Sequence, residues 1–241
     1  MAEIKVPYEY DGRQFEGVLV YDDSVTEKRP AILMQPDWLG VCGHSVDMAR
    51  DVAGKDYVVM VADMFGADYA KREKTFDELM KISREVRNDL EFLLGCAKKA
   101  DETLTAEANR LGIIDPDKHG AIGYCIGGGF ALEQARAGTP YKATVVFHVT
   151  LPNPVDANTR PDFQGRVLVF HGSADPVTPR EQIDALEAEL EETKTDWQIM
   201  MYGHAGHSFC DVGIFNDIQR YDEKLCQQSY RMMRDFFAET F

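Results

Sequence analysis

The sequence predicts an α/β fold, a doubly wound and mostly parallel sheet entered through an antiparallel N-terminal hairpin. Three observations carry this expectation. Period-two alternation is confined to the first 21 residues, a series of short apolar runs follows it, and helical apolar stripes fill the gaps between those runs. The 241 residues can bury a large core. No repeat, low-complexity tract or Gly/Ser linker interrupts the chain, so one domain over residues 1–241 is expected.

Taken in order, Ile4, Val6, Tyr8 and Tyr10 alternate, Asp11-Gly12 is a turn signal, and Phe15 to Tyr21 resumes as a second strand. Ala31–Met34, Tyr57–Ala62, Ala121–Tyr124, Thr144–Phe147 and Val167–Phe170 are nearly continuous apolar runs, the pattern of strands covered on both faces. Trp197–Tyr202 reads as another strand. Phe76, Leu79, Met80, Val86, Leu90, Leu93, Leu94 and Ala97 form a helical stripe, over two helices or one long one. Thr178-Pro179-Arg180-Glu181 has capping-box spacing and should open a helix through Ile183, Leu186 and Leu190. A last helix is expected from about Tyr221 to Phe237.

Charge narrows the function classes. Twenty-six Lys and Arg against 41 Asp and Glu leave a net charge of −15. Such a chain repels nucleic-acid phosphates and anionic membrane surfaces. Hydrophobic residues at 44% argue against a disordered acidic tail. No secretory signal or membrane span is legible, so a cytoplasmic protein is expected. The five cysteines (42, 96, 125, 210 and 226) include no CxxC pair and are expected to be free thiols.

The chemistry concentrates in Gly123-Tyr124-Cys125-Ile126-Gly127-Gly128. An apolar strand ends in Gly-x-Cys-x-Gly and passes straight into a helical segment, the strand–turn–helix of a nucleophile elbow with Cys in place of Ser. The glycines permit a sharp turn, and the helix N-terminus favours thiolate over thiol at Cys125. No P-loop Lys or GxGxxG accompanies it. An elbow of this kind expects an acid and then a histidine downstream. His171-Gly172-Ser173-Ala174-Asp175 closes one strand, and Gly203-His204-Ala205-Gly206-His207-Ser208-Phe209 follows another. Cys125, Asp175 and a loop histidine therefore form a candidate acyl-transfer set at the carboxyl ends of strands. His204, His207, His171 and Asp175 lack zinc-site spacing, and neither metal nor cofactor is expected.

The sequence resembles the dienelactone hydrolase family of α/β-hydrolases along essentially its whole length. The resemblance rests on the N-terminal hairpin, the elbow, His171-Gly172-x-x-Asp175 and Ala205-Gly206-His207-Ser208-Phe209. It implies an α/β-hydrolase fold with Cys125 as nucleophile, Asp175 as orienting acid and His207 as base. It also implies an oxyanion hole from the N–H groups of Trp38 and Ile126, the latter independently expected from the elbow. Asp37 occupies the place of a family Glu that contacts the resting cysteine. Asp211 stands where founding members keep a substrate-binding arginine, and Lys71 and Arg72 align loosely with a second one. Tyr124 and Phe209 join Lys71 and Arg72 as candidate substrate-binding residues. Phe65, Tyr69 and the Leu151–Phe163 loop are candidates for shaping the pocket.

The expected partner is a small ester, lactone or thioester, neutral rather than anionic given Asp211 and Asp37. The expected assembly is a monomer or homodimer. Two alternatives from other classes are a non-catalytic binding or regulatory protein and a thiol peptidase or redox enzyme using Cys125.

Overall fold

The computed structural model describes residues 1–151, 162–213, 216 and 218–241. Its backbone forms two compact units, Met1–Ile122 and Gly123–Phe241. Eight strands, mostly parallel, are flanked by helices, with an antiparallel hairpin at the N-terminus.

In the first unit, β1 (Ala2–Tyr10) and β2 (Arg13–Tyr21) pair antiparallel with Tyr10 opposite Arg13. Asp11 and Gly12 close the turn at φ 49° and 67°. Two successive left-handed residues give a turn whose twist matches that of the strands, which is why Asp-Gly marks hairpins. Val6 and Tyr8 are buried while their neighbours Lys5, Pro7 and Glu9 are exposed, as the alternation requires. Arg29–Gln35 forms β3 and Val58–Val61 forms β4, parallel to each other. With β5 (Ile114–Tyr124) the order is β1-β2-β4-β3-β5. The helices are α1 (Gly43–Ala53), α2 (Phe76–Asn88) and α3 (Leu90–Leu111).

The long stripe thus belongs to two helices. Asp89 separates them: its φ of −98° and ψ of 83° leave the helical region, and its carboxylate accepts from the Phe92 N–H at 3.0 Å. Thr75 and Glu78 form a capping box at the start of α2.

In the second unit, β6 (Ala143–Phe147), β7 (Arg166–Gly172) and β8 (Trp197–Tyr202) are parallel, in that order. They are joined by α4 (Ile126–Arg136), α5 (Arg180–Glu192) and α6 (Glu223–Thr240). Every residue of α4 is buried, including Glu133 and Arg136. Burying a guanidinium is costly unless it is paired. Arg136 donates to both carboxylate oxygens of Glu189 and to Glu133, each at 2.7 Å. The expected capping box at Thr178 does not form. The Thr178 hydroxyl donates to the Val149 carbonyl at 2.6 Å, and α5 starts instead from Pro179.

The expectation of free thiols fails at one pair. Cys210 and Cys226 are disulfide-bonded, with Cα atoms 4.8 Å apart, which fastens α6 to the loop that follows β8. Cys42, Cys96 and Cys125 are free. Closing a loop over a separation of 16 residues stabilises by about 3 kcal/mol in the chain-entropy account. Reduction should therefore lower the melting temperature by several degrees. A Cys210→Ser/Cys226→Ser variant should melt at the reduced temperature with or without reductant. No helix among the described residues is long and apolar enough to cross a membrane.

Candidate active site

The turn between β5 and α4 places Cys125 at φ 53° and ψ −121°, a conformation that L-residues avoid. Its surroundings enforce that strain. The Cys125 N–H donates to the Phe147 carbonyl at 3.1 Å, and the Cys125 carbonyl accepts from Gly128 at 3.1 Å and from Thr150 at 2.8 Å. A Cβ on Gly123 would run into the Gly127 carbonyl group and stand 2.7 Å from Gly128 Cα, so chain passes chain here without room for a methyl. Ile126 is the first residue of α4, where backbone N–H groups have no acceptor within the helix.

Gly172 brings the acid to the base. A Cβ there would meet the Ala205 carbonyl, because the turn after β7 presses against the loop after β8. Ser173 N–H donates to Tyr202 O at 2.8 Å, and Ala174 N–H to Ala205 O at 2.9 Å. Asp175 Oδ1 accepts from the Val177 N–H at 2.8 Å, which holds the carboxylate in place. Its Oδ2 meets His207 Nδ1 at 2.7 Å, and His207 Nε2 lies 3.1 Å from Cys125 Sγ. The three residues expected from sequence are brought together in a single hydrogen-bonded line. His204, the other loop histidine, lies in the exposed turn, its N–H bound to Ser173 Oγ at 2.9 Å.

Charge within the line is mutually supported. Burial disfavours an imidazolium at His207, but the Cys125 sulfur and the Asp175 carboxylate outweigh burial and raise its pKa. Burial likewise opposes ionisation of Asp175, yet the hydrogen bond from His207 overrides it and the carboxyl titrates below its ordinary value. Two further histidines surround the pair. Burial pushes His148 down to about 4, against the pull of Asp211, whose Oδ1 lies 3.6 Å from His148 Nε2. The His148 ring stands edge-on to His207 with centroids 5.3 Å apart. Burial also lowers His171, whose Nδ1 is 3.9 Å from Asp175 Oδ2. Asp211 is 2% exposed, so this acid lies inside the fold rather than on its surface.

Tyr124 and Phe209 have no exposed surface. Tyr124 stacks on Phe147 at 4.8 Å and its hydroxyl bonds to that of Tyr230 at 2.8 Å, while Phe209 packs edge-on against His148 and Tyr202. Both side chains are thus engaged in packing around His148 and Phe147. Thr150, whose hydroxyl lies 3.5 Å from Cys125 Sγ, carries no sequence signal and was not expected.

The remaining candidates lie in the first unit. Asp37 is buried, its Oδ1 accepting from the Leu39 N–H at 2.8 Å. The Trp38 carbonyl accepts from the Tyr69 hydroxyl at 2.7 Å, and the Trp38 ring meets Phe76 edge-on at 5.5 Å. Tyr69 stacks on Phe65 at 4.6 Å, and burial, helped by the nearby Asp37, pushes its phenol up to about 12. Lys71 and Arg72 are exposed and engaged with Asp68 at 2.8 Å and Glu78 at 3.2 Å. Of the Leu151–Phe163 loop, residues 152–161 lie outside the described residues.

Comparison with known proteins agrees with this architecture. The model of the dienelactone hydrolase family matches residues 15–241. A carboxymethylenebutenolidase of Rhodococcus opacus is 26% identical over 187 residues, covering 67% of this chain and 73% of its own. The crystal structure of a dienelactone hydrolase-like promiscuous phosphotriesterase from metagenomic libraries superposes with a TM-score of 0.90 at 30% identity, over 100% of this chain and 98% of that one. Esterase 2 of Thermogutta terrifontis shares the fold, with a TM-score of 0.63 at 15% identity over 98% and 93% of the two chains. A match that takes in the elbow and both of the strand-end turns that follow it places this α/β-hydrolase-fold chain in the dienelactone hydrolase family of hydrolases.

Proposed function

We propose that the protein hydrolyses small esters, lactones or thioesters through a Cys125–His207–Asp175 triad and a thioacyl-enzyme. The observation that carries this reading is the unbroken line from Cys125 Sγ through His207 to Asp175 Oδ2, at 3.1 and 2.7 Å, set on a strained elbow. The Cys125 thiolate attacks the carbonyl carbon, and the carbonyl electron pair moves onto oxygen. The N–H of Ile126, with that of Trp38 as the family resemblance implies, stabilises the oxyanion by about 3–4 kcal/mol per donor. Collapse breaks the bond to the leaving alkoxide or enolate, which takes the proton from His207. Water then attacks the thioester, gives its proton to His207 Nε2, and expels the thiolate as the acid departs. Thiolate is itself a good leaving group, so activated esters, enol lactones and thioesters are favoured over amides. Asp37 is proposed to assist the resting cysteine. The two partners of Lys71 and Arg72, Asp68 and Glu78, are acids, which accords with a neutral substrate.

The test is a panel of p-nitrophenyl esters, a lactone and a thioester, with rapid quenching and mass spectrometry of the acylated peptide. An acyl group on Cys125, and loss of turnover when iodoacetamide modifies that thiol, are the expected results. Turnover that survives complete alkylation overturns the reading.

Asp175→Asn is expected to lower kcat about 10³-fold, because an amide no longer selects the tautomer that presents Nε2 to sulfur. The variant also loses a pH-dependent stabilisation. His207, raised in the folded state, contributes stability that is complete below its unfolded value near ~6.5 and lost as pH rises through its folded value. Asp175, depressed when folded, contributes above ~3.9 and loses that contribution as pH falls through its folded value. Wild type should therefore exceed Asp175→Asn in stability most clearly between about pH 4 and 6.5. Urea melts across that range check it.

A second reading, on phosphotriesters, is favoured by the likeness to the metagenomic phosphotriesterase. Thiolate attack at phosphorus would expel an aryloxide, and water would have to cleave the resulting S–P bond. Release of p-nitrophenolate from a dialkyl p-nitrophenyl phosphate beyond one equivalent per enzyme supports turnover. A burst that stops at one equivalent shows modification only.

A further inference from the structure

The sulfur of Cys125 has a second polar neighbour. Thr150 Oγ1 lies 3.5 Å from Sγ, and the Thr150 N–H donates to the Cys125 carbonyl at 2.8 Å. The hydroxyl is therefore carried on a backbone already tied to the nucleophile. The segment is fixed on both sides. The His148 N–H donates to Phe170 O at 2.8 Å where the chain bends at φ 35°. Thr178, fully buried, brackets Thr150: its hydroxyl donates to Val149 O at 2.6 Å and accepts from the Leu151 N–H at 3.4 Å. Thr178 N–H in turn reaches Asp175 Oδ1 at 3.3 Å. The result is a closed circuit from Cys125 through His207, Asp175 and Thr178 back to Thr150, built from three loops at the ends of β5, β7 and β8 and the chain after β6.

We propose that Thr150 is a thiolate-stabilising residue, its hydroxyl donating to the resting Cys125 sulfur and holding it toward His207. The inference rests on Cys125 being the nucleophile of the function proposed above. The direction of the bond follows from the protonation state, since a thiolate has no hydrogen to give and only the hydroxyl can donate. Once sulfur is acylated its negative charge is gone and the bond weakens, so the hydroxyl favours the free enzyme over the thioacyl-enzyme. Such a donor has two opposed effects. It increases the fraction of thiolate at low pH, and it reduces the reactivity of each thiolate, because nucleophilicity falls with basicity with a slope of about 0.4–0.5.

The experiment is the rate of iodoacetamide modification of Cys125 against pH in wild type, Thr150→Val and Thr150→Ser. Hydrogen bonds to charged groups of ordinary strength correspond to a displacement of the Thr150→Val profile upward by about one pH unit. The variant should then react about threefold more slowly on the acidic limb and about threefold faster on the alkaline plateau, so that the two curves cross. Thr150→Ser keeps the hydroxyl and should restore the wild-type curve. The other titratable groups around the sulfur, His207 and beyond it Asp175, His148, His171 and Asp211, are present in all three proteins, so the difference reports the hydroxyl. Superimposable curves, or a uniform change at every pH, overturn the proposal, the second outcome being that of a merely structural role. If Thr150→Val does not fold, Thr150→Ala against Thr150→Ser makes the same comparison. Alkylation is read without ester turnover. A crossing profile in a protein that hydrolyses none of the panel would therefore reject the proposed function while sustaining the contact, and failure of the crossing in an active esterase would do the reverse.

Discussion

Replacing Cys125 with alanine is expected to lower kcat/KM for short p-nitrophenyl esters by at least about 10⁴-fold, with the remainder coming from binding and the oxyanion donors alone. The reason is geometric. Sγ is the atom at the end of the hydrogen-bonded line, 3.1 Å from His207 Nε2, and no other described side chain is placed on that elbow. Ser208 and Ser173 sit in neighbouring loops, but Ser208 Oγ accepts from Gln219 and Ser173 Oγ from the His204 N–H. Neither belongs to a strand–turn–helix. Turnover within about tenfold of wild type in Cys125→Ala would falsify the nucleophile assignment. Cys125→Ser is a weaker probe. A neutral hydroxyl removes the negative sulfur that raises His207, so its loss of rate mixes a poorer nucleophile with a changed base.

Gly123→Ala should be strongly destabilising, costing more than about 4 kcal/mol or preventing soluble expression. The added carbon would overlap the Gly127 carbonyl and approach Gly128 Cα to 2.7 Å. Both are backbone atoms in the first turn of α4, so no side chain can rotate away. Relief would require opening the elbow that holds Cys125 at φ 53°. Gly203→Ala is the control, since a Cβ there meets nothing within 4 Å. Thermal melts of the two variants decide it. A Gly123→Ala protein that melts within about 2 °C of wild type would show that the turn can relax.

Legibility varied with how local each cause was. The hairpin was readable because Asp11-Gly12 supplies two left-handed residues and the alternation on either side has a period of two. The parallel strands were readable because both faces are covered and their residues are uniformly apolar. β8 was found at its observed limits, Trp197–Tyr202. By contrast α1 was missed, since its start at Cys42 and Gly43 carries none of the usual capping residues. The Asp89 break was left open because a helical apolar stripe runs through it with little change of period. Thr178 was misread as a cap because the same spacing serves a hydroxyl that instead binds the Val149 carbonyl, 29 positions away in sequence.

The candidate site shows the same division. Residue types, chain order and strand-end positions marked Cys125, Asp175 and a loop histidine from sequence alone, because a nucleophile elbow requires glycines that only a close chain crossing explains. The choice of His207 over His204 came with the family resemblance, and His207 Nδ1 lies 2.7 Å from Asp175 Oδ2. The burial of Tyr124 and Phe209, the Cys210–Cys226 bond and the contact of Thr150 with sulfur were decided only by tertiary structure. Strand pattern, turn chemistry and the order of reactive groups act through neighbours in sequence, and so leave a local trace. Burial, pairing and the approach of a hydroxyl to a sulfur 25 residues away depend on where distant segments meet, which no local pattern encodes.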